Sequence, residues 1–373
     1  MISDDFLPAA TGVGVHLKLV APELARRGHR VAVITSRRKG EPEVERWEGV
    51  NVHRVFTVKV YGFYQALPSR AMVQRIFESE KPDVVHHHYA GIMMRRVCAV
   101  AEHMGIPQVS TYHFSAEVLS QPLPMRPFRW LIHQQMVAYN NRFDLVIAPS
   151  RNLADRLAGE GIRSPIRHIT NPVMFDENDD VAPAERGPGF SILYAGRLGP
   201  EKNLPYLLHA FARLLKIVPD AVLWIAGQGP EREALDRLCA QLGNGNHIRF
   251  LGFLDHPTLA RYYAACDVFV LPSLEEAQPL AVMEAMWFGK PVIVTRAIIA
   301  ATEMVDPGVN GFIVDPDNPQ QLTDRLTALA ADADLRASMG EASRRRADSY
   351  RPKLVISALE QAYNDVIAQH AHG

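Results

Sequence analysis

The sequence predicts an α/β fold built from two doubly wound domains, each with a parallel sheet. The chain has 373 residues, a length that suits two domains, and 47% of them are hydrophobic, which is enough for two packed cores. In both halves, short apolar runs lead into glycine-containing loops and then into helical segments, as buried parallel strands do. A polar, acidic, proline-rich stretch at 176–189 is typical of a linker. We therefore place the domains at 1–172 and 173–351.

The composition argues against several classes of protein. The net charge of −1 disfavours a nucleic-acid-binding protein, which would normally be basic. The three cysteines, Cys98, Cys239 and Cys266, lack metal-ligand spacing and suit reduced core residues. No apolar run approaches the roughly 20 residues needed to span a bilayer, and no signal-peptide pattern opens the chain. The expectation is a soluble protein of the cytoplasm.

The most informative stretch runs from Leu271 to Val294. It begins at the end of a strand-like apolar run that starts at Val268. Pro279 suits the first position of a helix and Gly289 suits the residue just past its end, which predicts a helix from about Pro279 to Phe288. The free amides of its first turn would attract phosphate.

Two carboxylates flank that helix start. Glu276 precedes it and Glu284 lies inside it. A carboxylate does not favour contact with a phosphate, but it accepts hydrogen bonds from sugar hydroxyls on either side of one. The layout therefore suits a nucleotide sugar, with the diphosphate at the helix end and one acid on each sugar. The alternative is an ordinary βαβ unit with surface acids.

Two further loops of the second half follow predicted strands. Arg197 and Lys202 lie five residues apart on a glycine-framed loop, an arrangement that suits a diphosphate clamp, although a solvated basic turn has the same composition. Gly227 lies in the next such loop, where a glycine lets the backbone approach a ligand.

The first half offers glycines and histidines. Gly12 and Gly14 lie at a predicted loop-to-helix turn before a helix at 16–27, but the dinucleotide fingerprint is incomplete. His86, His87 and His88 are consecutive on a predicted strand, so only His86 and His88 share a face. Because no carboxylate or cysteine stands nearby at ligand spacing, we predict no metal site. His113 follows the predicted strand at 108–111, at the sheet edge where open parallel sheets bind ligands.

Several of these motifs together resemble a known family. Glu276 and Glu284, followed by AMWFGKPVI, resemble the signature of family 4 of the retaining glycosyltransferases. Gly196-Arg197 and Glu201-Lys202-Asn203 resemble the signature of that family's second domain. The resemblance implies the GT-B fold, in which two Rossmann-like domains face a cleft. It also implies that the final helix, at about 352–370, packs back on the first domain.

The resemblance further implies a reaction and roles for residues. A hexosyl group would pass from a nucleoside-diphosphate sugar to an acceptor hydroxyl with retention at the anomeric carbon, with no metal and no other cofactor. Glu284 would bind the ribose, Glu276 the transferred sugar, and His113 the sugar or the acceptor. The implied catalytic residues are His113, Glu276, Arg197 and Lys202. The implied donor-binding residues are Gly12, Gly14, Arg197, Lys202, Gly227, Phe253, Glu276, Ala277, Gln278, Pro279, Leu280 and Glu284.

This sequence departs from the family pattern in three places. Thr11 stands where a glycine is commoner, Pro172 follows Asn171 where a glycine is usual, and the loop Ile298–Ala301 lacks the usual two glycines, while Glu303 is retained. That loop keeps open a catalytically impaired nucleotide-sugar-binding protein. A nucleotide-sugar epimerase on the same fold is the other alternative. Family frequency favours a UDP-sugar over GDP-mannose.

A basic, aromatic segment opens the helical stretch at 123–141. Arg126, Phe128, Arg129 and Trp130 could lie on a membrane surface, or the segment could be a core helix with two exposed arginines. The first reading fits a lipid-linked or glycolipid acceptor, peripheral contact with the inner face of the membrane, and a role in glycolipid or polysaccharide biosynthesis.

Overall fold

The computed structural model describes residues 1–7, 11–60, 63–88, 92–113, 127–175 and 181–372. The chain divides into two compact units. The first unit comprises Met1–Pro172 together with Pro352–Gly373, and the second comprises Val173–Arg351. The final helix, Pro352–His372, therefore belongs to the first unit.

The first unit is a sheet with helices packed against it. Its strands are β1 (Ala32–Ser36), β2 (Val44–Trp47), β3 (Val50–Val55), β4 (Thr57–Val60), β5 (Phe63–Ala66), β6 (Val85–His87), β7 (Gln108–Thr111), β8 (Leu145–Ala148) and β9 (Ile166–His168). The helices that precede the linker are α1 (Gly12–Arg26), α2 (Arg70–Glu80), α3 (Ile92–His103), α4 (Arg129–Asn140) and α5 (Arg151–Gly159).

A single residue joins two parts of this sheet. Ile2 forms parallel bridges both to Ile34 in β1 and to His87 in β6. The order β2-β3-β1 thereby continues through Ile2 into β6-β7-β8-β9. All of these pairs are parallel except the β2–β3 hairpin, and β4 and β5 form a separate antiparallel hairpin.

The second unit contains one parallel sheet. Its strands are β10 (Ser191–Ala195), β11 (Val222–Ala226), β12 (Ile248–Gly252), β13 (Val268–Leu271), β14 (Val292–Thr295) and β15 (Gly311–Val314). Its helices are α6 (Leu204–Leu214), α7 (Arg232–Leu242), α8 (His256–Ala265), α9 (Leu280–Trp287), α10 (Ala301–Met304), α11 (Pro319–Ala331) and α12 (Ala333–Ala347).

The strand order of the second sheet fixes where a ligand can bind. The order is β12-β11-β10-β13-β14-β15, with every pair parallel. The chain winds outward in one direction from β10 and in the other from β13, so the order reverses between these two neighbours. In open α/β sheets the crevice beyond the carboxyl ends of such a pair is the ligand site. The loops that follow β10 and β13 both begin at that edge.

The observed elements correct several predicted boundaries. Helix α1 begins at Gly12, not at His16, so both Gly12 and Gly14 lie in its first turn, and Thr11 is its N-cap. Helix α9 begins at Leu280, and Pro279 is the residue that precedes it. The three cysteines are free and buried, as predicted.

None of the helices in the described ranges combines the length and the apolar character that crossing a membrane requires. The segment that begins at Arg126 is described only from Pro127 onward, so Arg126 itself lies outside the described residues.

Candidate functional site

Two loops meet at the carboxyl edge of the second unit's sheet. The first follows β10 and carries Arg197 and Lys202, and the second follows β13 and carries Glu276. The amide of Leu274 donates to the carbonyl of Glu201 over 2.8 Å, which holds the two loops together. The buried hydroxyl of Tyr194 donates to the carbonyl of Arg197 over 2.8 Å. The basic loop is therefore fixed from both sides.

An ion pair lies at this junction. The Lys202 ammonium group is bonded to the Glu276 carboxylate, and the two side chains are only 16% and 21% exposed. The hydroxyl of Ser273 donates to the same carboxylate over 3.4 Å. Arg197 lies at the rim, 45% exposed, with its Nη1 3.2 Å from the Glu201 carboxylate. The structure thus brings three of the four predicted catalytic residues to one sheet edge.

The glycines after β11 have a structural role that sequence reasoning did not identify. A Cβ atom on Gly227 would lie 1.8 Å from the carbonyl oxygen of Gly196, and one on Gly229 would lie 2.3 Å from that of Leu198. The amide of Leu198 donates to the carbonyl of Gln228 over 3.0 Å. These glycines let the loop after β11 pack directly against the backbone of the basic loop, because a side chain at either position would collide with that backbone.

The start of α9 lies directly after Glu276. Pro279 is the N-cap and supplies no capping side chain. Gln278, just before it, is 8% exposed. The amide groups of the first turn of a helix have no partner within that helix, and together with the helix dipole they favour an anion. The predicted phosphate site is the N-terminus of α9. Glu276 lies just before it in the chain, and the ion pair with Glu276 brings Lys202 to the same loop.

The loop that departs from the family pattern is well packed. Ile298 and Ala300 are buried, and the amides of Ile299 and Ala300 donate to the carbonyls of Glu276 and Ala277 over 2.9 and 3.2 Å. Within the described residues, positive φ in non-glycine residues is confined to Glu48, Lys81 and Asn203. This loop therefore needs none of the angles that glycine permits, and it supports the backbone of Glu276.

Glu284 has two protein partners. Its Oε1 lies 3.0 Å from Nε2 of His256, and its Oε2 accepts a hydrogen bond from the Tyr263 hydroxyl over 2.9 Å. Burial, followed by the Glu284 charge, raises the pKa of Tyr263 well above its usual value. His256 is stacked on Phe175 with ring centroids 4.3 Å apart. Sequence reasoning missed His256, whose only local signal is the capping residue Asp255 before it.

The remaining predicted donor contact of this unit is exposed. Phe253 follows Gly252 at the end of β12, and its side chain is 65% exposed. The carbonyl of Gly252 accepts a hydrogen bond from the amide of Gly227 over 2.7 Å. The loop after β12 is therefore tied to the loop after β11 at the same sheet edge.

In the first unit, histidines collect at the carboxyl edge of the sheet. His86 and His88 share a face, as the strand period predicts, with ring centroids 3.9 Å apart. His86 is fully engaged, with Nδ1 2.6 Å from the Tyr363 hydroxyl and Nε2 2.7 Å from the Thr111 hydroxyl. His87 lies on the other face, stacked on Phe143.

Two more histidines complete this group. His113, after β7, has its Nε2 3.2 Å from Nδ1 of His88. His16 of α1 has its ring centroid 5.0 Å from that of His113. Burial lowers the pKa of His16 to about 4 and holds the pKa values of His88 and His113 well below their usual range. All three imidazoles are therefore neutral at pH 7.

The N-terminus of α1 is shaped by Thr11. Its hydroxyl accepts from the amide of Gly14 over 3.3 Å and donates to the Asp5 carboxylate over 2.6 Å. Arg38 lies 3.2 Å from the other oxygen of Asp5. Gly12 is exposed with open space around its Cβ position. The threonine at this position thus supplies a side-chain hydrogen bond to the first turn that the usual glycine cannot make.

Comparisons with known proteins agree with this architecture. The family model "Glycosyl transferases group 1" matches residues 175–346, and "Glycosyltransferase Family 4" matches residues 10–177. An uncharacterised glycosyltransferase of Methanocaldococcus jannaschii is 30% identical over 345 residues, which are 86% of this chain and 86% of that protein. The chain belongs to the group 1, family 4 glycosyltransferases. Its fold is therefore GT-B, as the sequence predicted.

Two other known proteins are similar to this glycosyltransferase over nearly its whole length. The alpha-monoglucosyldiacylglycerol synthase of Acholeplasma laidlawii is 25% identical over 98% of this chain and 96% of its own length. The Anabaena protein HepE, solved in complex with UDP-glucose, superposes with a TM-score of 0.77 at 20% identity, covering 98% of each chain. The latter likeness concerns the fold.

Proposed function

We propose that this glycosyltransferase moves a hexosyl group from a UDP-sugar to an acceptor hydroxyl with retention at the anomeric carbon. The observation that carries the proposal is the Lys202–Glu276 ion pair at the point where the second sheet's strand order reverses. A cation and a sugar-binding acid adjacent to a helix N-terminus are what a nucleoside-diphosphate sugar requires. The Anabaena protein binds UDP-glucose, which favours UDP over GDP as the nucleotide of the donor.

In this proposal each residue has a separate task. Lys202 and Arg197 stabilise the departing diphosphate together with the first-turn amides of α9, which supply the charge that a metal ion supplies in other transferases. Glu276 binds the hydroxyls of the transferred sugar and Glu284 those of the ribose. His113 contacts the sugar or the incoming acceptor. The leaving phosphate helps to remove the acceptor proton during front-face attack.

The acceptor is proposed to be lipid-linked. The aromatic turn at the start of α4 is exposed, with Phe128 and Trp130 53% and 72% exposed, and Arg129 between them is exposed as well. Only Met136 and Asn140 of α4 are buried, so this segment is not a core helix of its unit. The Acholeplasma relative is named for a diacylglycerol product. Together these favour an enzyme that works at the inner face of the membrane.

The test is release of nucleoside diphosphate from a panel of UDP- and GDP-sugars, with and without mixed lipid acceptors. Wild type is compared with Lys202→Ala and Glu276→Ala, and with the exposed controls Lys216→Ala and Glu233→Ala. Acceptor-dependent release that only the first two substitutions abolish is the expected result. Conversion of the donor without any acceptor would replace the proposal with an epimerase. Donor binding without release across the acceptor panel would replace it with a non-catalytic binder.

A further inference from the structure

Three histidines from distant parts of the chain converge in the first unit. His16 comes from α1, His88 from the end of β6 and His113 from the end of β7. One ring nitrogen from each lies within 4.8 Å of the others. Only His88 belongs to the consecutive histidines of the sequence, which is why the linear pattern predicts no metal site. The fold, and not the spacing, creates this cluster.

The distance between two of these nitrogens suits a shared metal ion. Nδ1 of His88 and Nε2 of His113 are 3.2 Å apart. Zinc binds imidazole nitrogen at 2.0–2.1 Å in a tetrahedral arrangement, so two such ligands on one ion lie about 3.3 Å apart. The third nitrogen lies within 4.8 Å of these two.

One nitrogen of the cluster has no protein partner. Among the described residues, Nδ1 of His16 is buried without a hydrogen bond. Because a side-chain hydrogen bond links His16 to Asn171, that bond must use Nε2 of His16. It holds the ring through Nε2 and leaves Nδ1 available to an ion, as partners of metal-bound histidines do.

The neighbouring histidines are not alternatives as ligands. Both ring nitrogens of His86 are engaged by Tyr363 and Thr111, and His87 lies on the other face of the strand. The three remaining imidazoles are those whose ring nitrogens converge. Three histidines leave a fourth tetrahedral position for water.

We propose that His16, His88 and His113 bind one divalent transition-metal ion, of which zinc suits a site of three imidazoles. All three ligands of this site belong to the first unit. Asn171 is a positioning residue for His16.

The experiment measures metal binding to the full chain in the absence of donor and acceptor. Apo protein is dialysed against Zn²⁺, and zinc is counted by elemental analysis; a second sample is titrated with Co²⁺ and followed by visible absorption. Wild type is expected to retain one zinc per chain and to give the intense absorption of tetrahedral cobalt. His16→Asn, His88→Asn and His113→Asn are each expected to lose both signals. The exposed control His103→Asn is expected to keep them.

Folding is checked separately. Each variant is melted without metal, and a variant that melts as the wild type does but binds no zinc supports the site. Zinc should raise the melting temperature of the wild type and of His103→Asn, since a ligand that binds the folded state stabilises it. Asn171→Ala should weaken zinc binding about 10–100-fold. Equal zinc content in the wild type and all three histidine variants, or octahedral cobalt spectra, would overturn the proposal.

One consequence rests on the proposed function. If His113 contacts the sugar or the acceptor, a metal ion that holds its ring should slow transfer, and a chelator should restore it. Zinc bound with transfer unchanged would leave the metal site in place and remove His113 from the reaction. Absent zinc binding with normal transfer would overturn the metal site alone.

Discussion

Lys202 and Glu276 lie 74 residues apart in the chain and are bonded to each other at the carboxyl edge of the second unit's sheet. Each residue comes from the loop that follows one of the two strands between which the winding direction reverses. A basic and an acidic side chain that hold each other in place should act as a unit. Their substitutions should therefore not be additive.

We expect Lys202→Ala and Glu276→Ala each to lower kcat about 100-fold or more, the size of effect seen when one oxyanion-stabilising donor is removed. The double variant should be about as inactive as the worse single variant. Lys216→Ala, exposed on the same unit, should leave kcat unchanged. Losses that multiply in the double variant would show that the two residues act independently. Steady-state kinetics with a single donor measures all four variants.

Gly227 provides a test of how the basic loop is positioned. Its φ is +140°, and an added Cβ would meet the Gly196 carbonyl. Gly227→Ala should lower the free energy of unfolding by at least about 2 kcal/mol, because strained backbone and backbone contact add together. Gly245→Ala, with open space at its Cβ position, is the matched control and should cost far less. Urea denaturation compares them, and equal midpoints for the two variants would contradict this account.

The alternation of apolar runs, glycine loops and helices was sufficient to predict the parallel sheets, because buried strands need continuous hydrophobic residues. It did not locate the start of α1. There Thr11 caps the helix and Asp5 holds Thr11, a contact that no periodicity encodes. Local pattern identified the elements, and side-chain contacts set their boundaries.

The candidate site shows the same division. The family motifs predicted Glu276, Lys202 and Arg197 as site residues, because these motifs lie in loops that follow recognisable apolar strands. Partners from other elements could not be predicted in this way. His256 reaches Glu284 from the start of α8, and Ile299 supports Glu276 through its backbone amide. Such contacts depend on how elements pack, which the order of residues in one segment does not determine.

Asp4 should make stability depend on pH. The pKa of Asp4 is raised from 3.8 to about 7, chiefly by burial. The hydrogen bond from the Ala66 amide lowers this pKa by less than burial raises it. The neighbouring charge of Asp5, which is paired with Arg38, adds to the rise. Between pH 3.8 and 7 the folded chain therefore holds a proton that the unfolded chain releases. The contribution of Asp4 to stability falls as pH rises through this window and is constant above it.

The change is of the order of 4 kcal/mol at most, from about three pKa units. Asp4→Asn keeps the acceptor for the Ala66 amide and removes the charge. Its melting temperature relative to wild type should rise between pH 4.5 and pH 7.5. Asp220→Asn, an exposed control, should follow the wild type throughout. A constant difference between Asp4→Asn and wild type across this range would show that Asp4 is ionised at all of these pH values.

Glu284 has both a structural and a proposed binding role, and its partners separate them. Tyr263→Phe removes the buried hydroxyl that donates to Glu284, which should cost about 1–2 kcal/mol of stability and leave UDP affinity unchanged. Glu284→Ala should lower stability further and weaken UDP binding about 10–100-fold, as loss of hydrogen bonds to a charged group does. Calorimetric titration with UDP measures both variants. If Tyr263→Phe lost as much UDP affinity as Glu284→Ala, the role of Glu284 would be structural and not direct binding of UDP.

The exposed aromatic turn at the start of α4 predicts binding to anionic membranes. Trp130 is 72% exposed and Arg129 is exposed beside it, while Arg126 precedes them in the sequence. Basic residues near an anionic surface contribute about 1 kcal/mol each to membrane binding.

Wild type should therefore sediment with anionic liposomes, and the double variant Arg126→Glu with Arg129→Glu should stay in solution. Reversing two exposed arginines of the second unit, Arg237→Glu with Arg345→Glu, controls for net charge and should leave sedimentation intact. Equal sedimentation of wild type and the Arg126/Arg129 variant would remove this segment from membrane docking, and with it the structural argument for a lipid-linked acceptor.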